Sequence, residues 1–208
     1  MTTKRLKRLN IGRELRAIAQ TGLFYSKDPY DRQRFERIRE LAADLLARAS
    51  GEDPSRLLAL FCLDSGYATP KVDVRGAVFS GERILLVREV SDGRWTLPGG
   101  WADVNQSPAE CAVREVREES GFIVRATKLA AVYDYQRRNA PHHLDSIYKL
   151  FFVCEITGGE ARPSEETSEV EFFPRLELPP LSLGRTTPAQ IETMYRHREE
   201  PGLAADFD

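Results

Sequence analysis

Apolar residues recur at helical intervals twice near the start of the chain: Leu9, Ile11, Leu15, Ile18, Ala19 and Leu23, then Phe35, Ile38, Leu41, Ala42, Leu45 and Leu46. The pattern predicts two amphipathic helices, over residues 9–24 and 29–49. Ser26-Lys27-Asp28-Pro29 reads as the turn and helix start between them, and Gly51-Glu52-Asp53-Pro54 as the break that follows. Such an α-hairpin has too little core to stand alone and must pack on a larger domain, a second subunit, or both. Residues 55–68 read as a short helix and linker. From Pro70 the pattern changes to strands, Val72 to Phe79, Ile84 to Glu89 and Trp95 to Leu97, punctuated by Ser80-Gly81 and Asp92-Gly93. Apolar segments at 123–135 and 147–157 predict further core strands, and Thr187-Pro188-Ala189-Gln190 opens a final helix. The expected organisation is a helical region over 1–66 and an α+β domain over 67–208.

One helix of that second domain breaks the usual electrostatic rules. Ser107 is a good N-cap, Pro108 suits the first turn, Glu110 completes a capping box and Gly121 suits the C-terminal cap, so a helix runs from Pro108 to Ser120. Ala109, Ala112, Val113 and Val116 form its buried stripe, while Glu115, Glu118 and Glu119 share the neighbouring face at i, i+3 and i+4. Like charges at this spacing cost roughly 0.2–0.5 kcal/mol per pair, and two of the three lie at the negative end of the helix dipole. A divalent cation against the face would remove the repulsion, since Mg²⁺ takes carboxylate oxygens together with waters and substrate phosphates. Arg114, four residues from both Glu110 and Glu118, is placed to orient a ligand carboxylate. A solvated acidic face is the plainer reading of three clustered glutamates.

Context favours the metal. The matching positions Gly100, Arg114, Glu115, Val116, Glu118, Glu119 and Gly121 resemble the Nudix hydrolase box. Phe122 stands where the box has an aliphatic residue, and Gln106 replaces its first Glu. Gln accepts hydrogen bonds but brings no charge, which leaves the metal number and the role of this position open. Asp73-Val74-Arg75-Gly76-Ala77, Leu86-Val87-Arg88-Glu89, the Leu97 to Asp103 turn and the N-terminal hairpin further resemble a bacterial Nudix branch that tends to lack that Glu. The resemblance implies an α/β/α Nudix sandwich with a mixed sheet and a dimer built through the helical N-terminus. It also implies hydrolysis of a nucleoside diphosphate linked to a second group, X, such as CDP-choline, a UDP-sugar or ADP-ribose. The products would be a nucleoside monophosphate and phospho-X.

On the same basis Glu115, Glu118 and Glu119 are the expected catalytic metal ligands for Mg²⁺ or Mn²⁺, joined by the backbone of Gly100. Gly99 and Gly100 allow close approach of phosphate. Arg75 and Arg88 are candidate phosphate contacts, though each alone reads more readily as an ordinary surface or ion-pair arginine. The family often supplies a further carboxylate from outside the box, and the acidic stretch Ser164-Glu165-Glu166-Thr167-Ser168-Glu169 is its natural source. Glu166 is the first choice for this carboxylate, as general base or extra metal ligand, Glu169 the second, and a flexible acidic loop the alternative. His142 and His143 lie in a polar connection, where they would move protons, touch substrate or do neither. Trp95, Trp101 and Tyr133 are candidates to stack on a base or sugar, or core aromatics.

Charge and cysteine content narrow the remaining classes. The 208 residues carry 30 Lys and Arg against 32 Asp and Glu, yet residues 1–50 hold twelve basic and six acidic groups. That segment is +6 and the remainder −8. The basic helices read better as a partner for the acidic domain than as a nucleic-acid contact, because aromatics are not interleaved and no reader motif is present. An RNA-end-directed enzyme and a non-catalytic nucleotide sensor are the rival functions; loss of catalysis would have eroded the costly glutamate cluster. Cys62, Cys111 and Cys154 lack paired spacing and suit a reducing compartment. No apolar run approaches a membrane span, and the basic start lacks the apolar core of a secretory signal, which predicts a cytoplasmic protein.

Overall fold

Asp28 and Asp53 open two successive N-terminal helices in the computed structural model, which describes residues 3–140 and 143–208. The helices are α1 (Thr3–Tyr25), α2 (Pro29–Ser50) and α3 (Pro54–Leu63). Asp28 accepts hydrogen bonds from the N–H groups of Tyr30 and Asp31, Asp53 accepts from Arg56, and each is followed by a first-turn proline. Leu9, Ala43, Leu46, Ala47, Ala49, Leu57 and Phe61 bury their side chains together with help from Leu144. Arg16 ties the group by ion pairs to Asp64 and Asp145. By its internal contacts the chain forms two compact units. Met1–Pro70 with Leu144–Ser146 is the first, and Lys71–His143 with Ile147–Asp208 the second.

The second unit is a sheet between two helices. Its strands are β1 (Lys71–Ser80), β2 (Arg83–Glu89), β3 (Trp95–Thr96), β4 (Phe122–Asp134), β5 (Ile147–Gly159), β6 (Thr167–Pro174) and β7 (Asp206–Phe207). The helices are α4 (Pro108–Ser120), a single turn α5 (Tyr135–Arg138) and α6 (Pro188–Glu199). The strand order is β3-β2-β1-β5-β4-β7, with β6 on β2. Pairing of β1 with β5 and of β4 with β7 is parallel and the other ladders are antiparallel, so the sheet is mixed.

Alternation along the strands separates two cores. Val74, Val78, Leu85, Phe152 and Cys154 meet Cys111, Ala112 and Val116 of α4 on one face. Ala77, Ile84, Leu86, Ala131, Tyr133 and Phe151 meet Ile191, Met194 and Tyr195 of α6 on the other. The result is the expected α/β/α sandwich. One segment departs from expectation: residues 167–169 belong to β6, paired along β2 from Arg83↔Pro174 to Glu89↔Thr167. The apolar Val170, Phe172 and Phe173 carry the strand pattern, and cross-strand pairing extends it over the acidic residues before them.

Candidate active site

α4 begins with the reciprocal Ser107/Glu110 capping box and ends on Gly121, whose N–H bonds to the Arg117 carbonyl. Its apolar stripe seats on the sheet, which fixes the rotation of the helix and so the direction of its acids. Glu119 is buried at 6 % exposure, and its Oε2 accepts the Gly99 N–H at 2.9 Å. Gly99 has φ 143°, and a Cβ there would fall 2.0 Å from the Val74 carbonyl oxygen, so only glycine permits this turn to run against β1. Burial pushes the Glu119 carboxyl up to about 8, more than Arg75 and the Gly99 N–H lower it. Burial also raises Glu115, with Arg114 opposing.

Arg114 gathers the surrounding carboxylates. Its Nε donates to Gln106 Oε1 at 3.1 Å, and Nη1 to Glu118 at 2.7 Å. Nη2 lies 2.9 Å from Asp103 and 2.8 Å from Glu115. Gln106 therefore faces the Arg114 guanidinium. Among the described residues no three His, Cys, Asp or Glu side chains form a ready-made metal cage. Arg114 pairs with Glu115 and Glu118, while the turn amide donates to Glu119.

These groups line a cleft of about 1060 Å³, whose walls also include Asp73, Arg75, Glu89, Trp101, Lys149 and Arg185. Arg75 donates to both Asp73 oxygens at 3.0 and 2.7 Å and to the Leu97 carbonyl at 3.1 Å. Lys149 Nζ donates to Asp73 Oδ1 at 2.7 Å. Burial would raise the Asp73 carboxyl, but the two cations outweigh it and hold the group low. Burial lowers Lys149 to about 8 against the pull of Asp73. Glu89, raised by burial, pairs with Arg185 at 3.0 Å.

The sequence candidates separate accordingly. Arg75, Gly99, Gly100, Arg114, Glu115, Glu118, Glu119, Glu166, Trp101 and His143 all line the cleft. The Gly100 carbonyl accepts the Val74 N–H at 2.8 Å, so one of its lone pairs is engaged. Arg88 does not line it: β2 turns that side chain to Glu169 on β6, at 2.5 Å, and to the Gly93 carbonyl. Glu169, held in that pair, is not part of the cleft lining, whereas Glu166 is. Tyr133 is 4 % exposed in the core, its ring 5.9 Å from Phe151 and its hydroxyl 3.5 Å from Asp206, so it offers substrate no stacking surface. Trp95 is likewise a core residue, edge-on to Phe173. His142 lies outside the described residues. Asp73, Glu89, Asp103, Tyr135, Lys149 and Arg185 are additions by the structure. A signal existed for two of them: Asp73, two residues before the candidate Arg75 in an apolar strand, and Lys149 amid Tyr148 to Phe152.

A capped helix carrying buried carboxylates, beside a glycine turn and on a mixed sheet, is the arrangement that family comparison can decide. Residues 69–195 match the NUDIX domain, and residues 7–61 match the UDP-X-like N-terminal oligomerisation domain. The chain belongs to the Nudix hydrolase family. This Nudix chain is 42 % identical over 202 residues to Bacillus subtilis YjhB, to which ADP-ribose pyrophosphatase activity is ascribed, covering 97 % of each. It is similar to the crystal structure of a UDP-X diphosphatase, at 33 % identity and TM-score 0.63, over 98 % of this chain and 99 % of that one. It is also similar to that of an ADP-ribose pyrophosphatase from Streptococcus suis, at 40 % identity and TM-score 0.62, over 67 % of this chain and all of that one, 100 %.

Proposed function

We propose that this Nudix hydrolase cleaves the pyrophosphate bond of a nucleoside diphosphate linked to X, with ADP-ribose the first substrate to try and UDP-sugars and CDP-choline next. The observation that carries the reading is the buried Glu119 carboxyl, raised to about 8 beside a second raised carboxyl, Glu115, in a cleft also lined by Arg75. Two buried carboxyls and an exposed third at Glu118 make an all-oxygen donor set suited to Mg²⁺ or Mn²⁺, which is commonly held by one or two carboxylates together with substrate phosphates and would offset the burial penalty on ionised Glu115 and Glu119. Glu115, Glu118 and Glu119 would hold it, with the free lone pair of Gly100. Bound there, the cation neutralises the diphosphate and favours attack on phosphorus.

The chain's own residues supply the rest. Arg114 orients Glu115 and Glu118, and Gln106 and Asp103 keep Arg114 in place. Arg75, fixed by Asp73, presents positive charge where the diphosphate develops negative charge. Glu166 accepts a proton from the attacking water as its oxygen bonds phosphorus, the bridging P–O bond breaks, and its electron pair leaves with the second phosphate. The products are NMP and phospho-X. The protein works as a cytoplasmic homodimer through α1 to α3. In support, the matching N-terminal family is described as an oligomerisation domain, and Ile18, Leu41, Leu60 and Leu63 are exposed on these helices. Among the described residues no helix is long and apolar enough to cross a membrane.

The test is product release from ADP-ribose, UDP-glucose, CDP-choline and a short 5′-capped RNA, each with Mg²⁺, Mn²⁺ or EDTA. Metal-dependent release from one class, lost in Glu119→Gln, is the expected result. Binding without cleavage of any of them would replace this reading by a nucleotide sensor, and cleavage confined to a short 5′-capped RNA would replace it by an RNA-end hydrolase.

A further inference from the structure

The cleft face of the sheet carries a row of side chains of which the chemistry at phosphorus uses Asp73 alone, to hold Arg75. Trp101 pairs with Asp73 through an isolated antiparallel bridge, and Asp73 pairs with Lys149 along the parallel β1–β5 ladder. Directly opposed residues point to the same face, so an indole, a carboxylate and an ammonium stand side by side. All three line the cleft.

The row has a definite chemical character. Trp101 is 48 % exposed, while Lys149 is 1 % exposed and Asp73 7 %. Asp73 is shared by two cations, Arg75 and Lys149, so its negative charge is already balanced at this pole of the cleft. Lys149 has three donors, and among the described residues its recorded acceptor is Asp73. His143 lies edge-on to Trp101 at 6.5 Å and to Tyr135 at 6.1 Å, which extends the indole into an aromatic wall. Arg75 stands two residues from Asp73 on the same face and feels the charges of both Asp73 and Glu119, so it links this row to the acidic face of α4.

We propose that this pole of the cleft is the nucleobase subsite: the base stacks on Trp101 and turns a carbonyl oxygen or ring nitrogen toward the Lys149 ammonium. The assignment rests on the pyrophosphatase reading only in placing the diphosphate over Arg75, beside Glu115, Glu118 and Glu119. An exposed indole stacks with any base, because every base has a π-face. The ammonium adds preference for an acceptor edge and disfavours a quaternary ammonium. X therefore extends from the other phosphate, away from the row.

Trp95 is buried, so quenching of tryptophan fluorescence in the full-length protein reports on Trp101. AMP, UMP and ribose 5-phosphate are titrated in EDTA, where no turnover occurs. AMP and UMP should quench and ribose 5-phosphate should not; Trp101→Leu, at an exposed position, should abolish the quenching and weaken AMP binding about 10-fold or more. With Mg²⁺, Trp101→Leu and Lys149→Met should lower kcat/KM for ADP-ribose and ADP-glucose by the same factor, and Lys149→Met should change the ratio of ADP-glucose to UDP-glucose. Quenching that survives in Trp101→Leu overturns the subsite. So does a change in the ratio of ADP-ribose to ADP-glucose with the ratio of ADP-glucose to UDP-glucose fixed, because the row would then hold X. If Lys149→Met does not fold, the Trp101 arms still decide. Trp101-dependent quenching without cleavage of any substrate would keep the subsite and remove the pyrophosphatase.

Discussion

α4 and α6 start from nearly the same local code and end in opposite electrostatics. Ser107-Pro108-Ala109-Glu110 and Thr187-Pro188-Ala189-Gln190 both form complete capping boxes, and the two helices cover opposite faces of one sheet. α6 closes on Arg196, His197 and Arg198, which suit the negative end of a helix dipole. α4 closes on Glu118 and Glu119 with Arg117 the only cation in its last turn. The glutamates of α6 sit in ion pairs with Arg175, whereas Glu119 is buried against a backbone amide. A helix optimised for stability and one that gives up stability for chemistry can thus share the same ends; the difference lies on the face between them.

The sharpest way to break the comparison is to neutralise one acid on each helix. Glu119→Gln or Glu118→Gln should lower metal-dependent kcat on the order of 10²-fold or more, as expected for loss of a group that stabilises transition-state charge. Glu192→Gln on α6 should leave kcat unchanged. Equal effects in steady-state assays would remove the site from α4.

Arg114 offers a smaller contrast. Lys cannot reproduce a fork that meets Gln106, Asp103, Glu115 and Glu118 together, so Arg114→Lys should cost about 10–100-fold in kcat/KM and raise the Mg²⁺ concentration needed. Gln106→Glu should keep activity, since it still faces Arg114 and adds a favourable charge; its loss would mean that the amide itself takes part.

Stability should move in the opposite direction to activity. Glu119 has a folded pKa of about 8 against an ordinary 4.5. Between those values the folded metal-free protein binds more protons than the unfolded chain, so its stability falls as pH rises through that window. Glu119→Gln keeps the acceptor for Gly99 and removes the titration. In EDTA its melting temperature should exceed that of the parent at pH 8.5 and differ little at pH 5, by a free energy on the order of a few kcal/mol at the higher pH. An identical pH dependence in thermal melts would show that Glu119 titrates normally.

The smallest effect tests the shared ends. Ser107→Ala and Thr187→Ala should each cost about 1 kcal/mol in denaturant unfolding. Only Ser107→Ala should also disturb turnover, because only α4 presents the acids.

The parts of the molecule legible from sequence are those whose causes lie within a turn or two. Caps, prolines, the apolar stripe and the i, i+3, i+4 glutamates predict α4 from Pro108 to Ser120, the span it has. The chain's alternation likewise predicts β1, β2, β4 and β5 nearly in full. Arg88 and Tyr133 were misplaced because a strand residue's surroundings are set by its neighbours across the sheet. β6 lies against β2 and draws Arg88 to Glu169, while α6 closes over Tyr133.

By itself, then, the sequence determined the helix that carries the acids and the turn beside it, because propensity, capping and periodicity act between near neighbours. Only the tertiary structure decided that Gln106 serves Arg114, and that Asp73 and Lys149, 76 residues apart, meet across parallel strands beside Trp101. Cross-strand register is a long-range choice, made by which buried surfaces close together, and no local pattern encodes it.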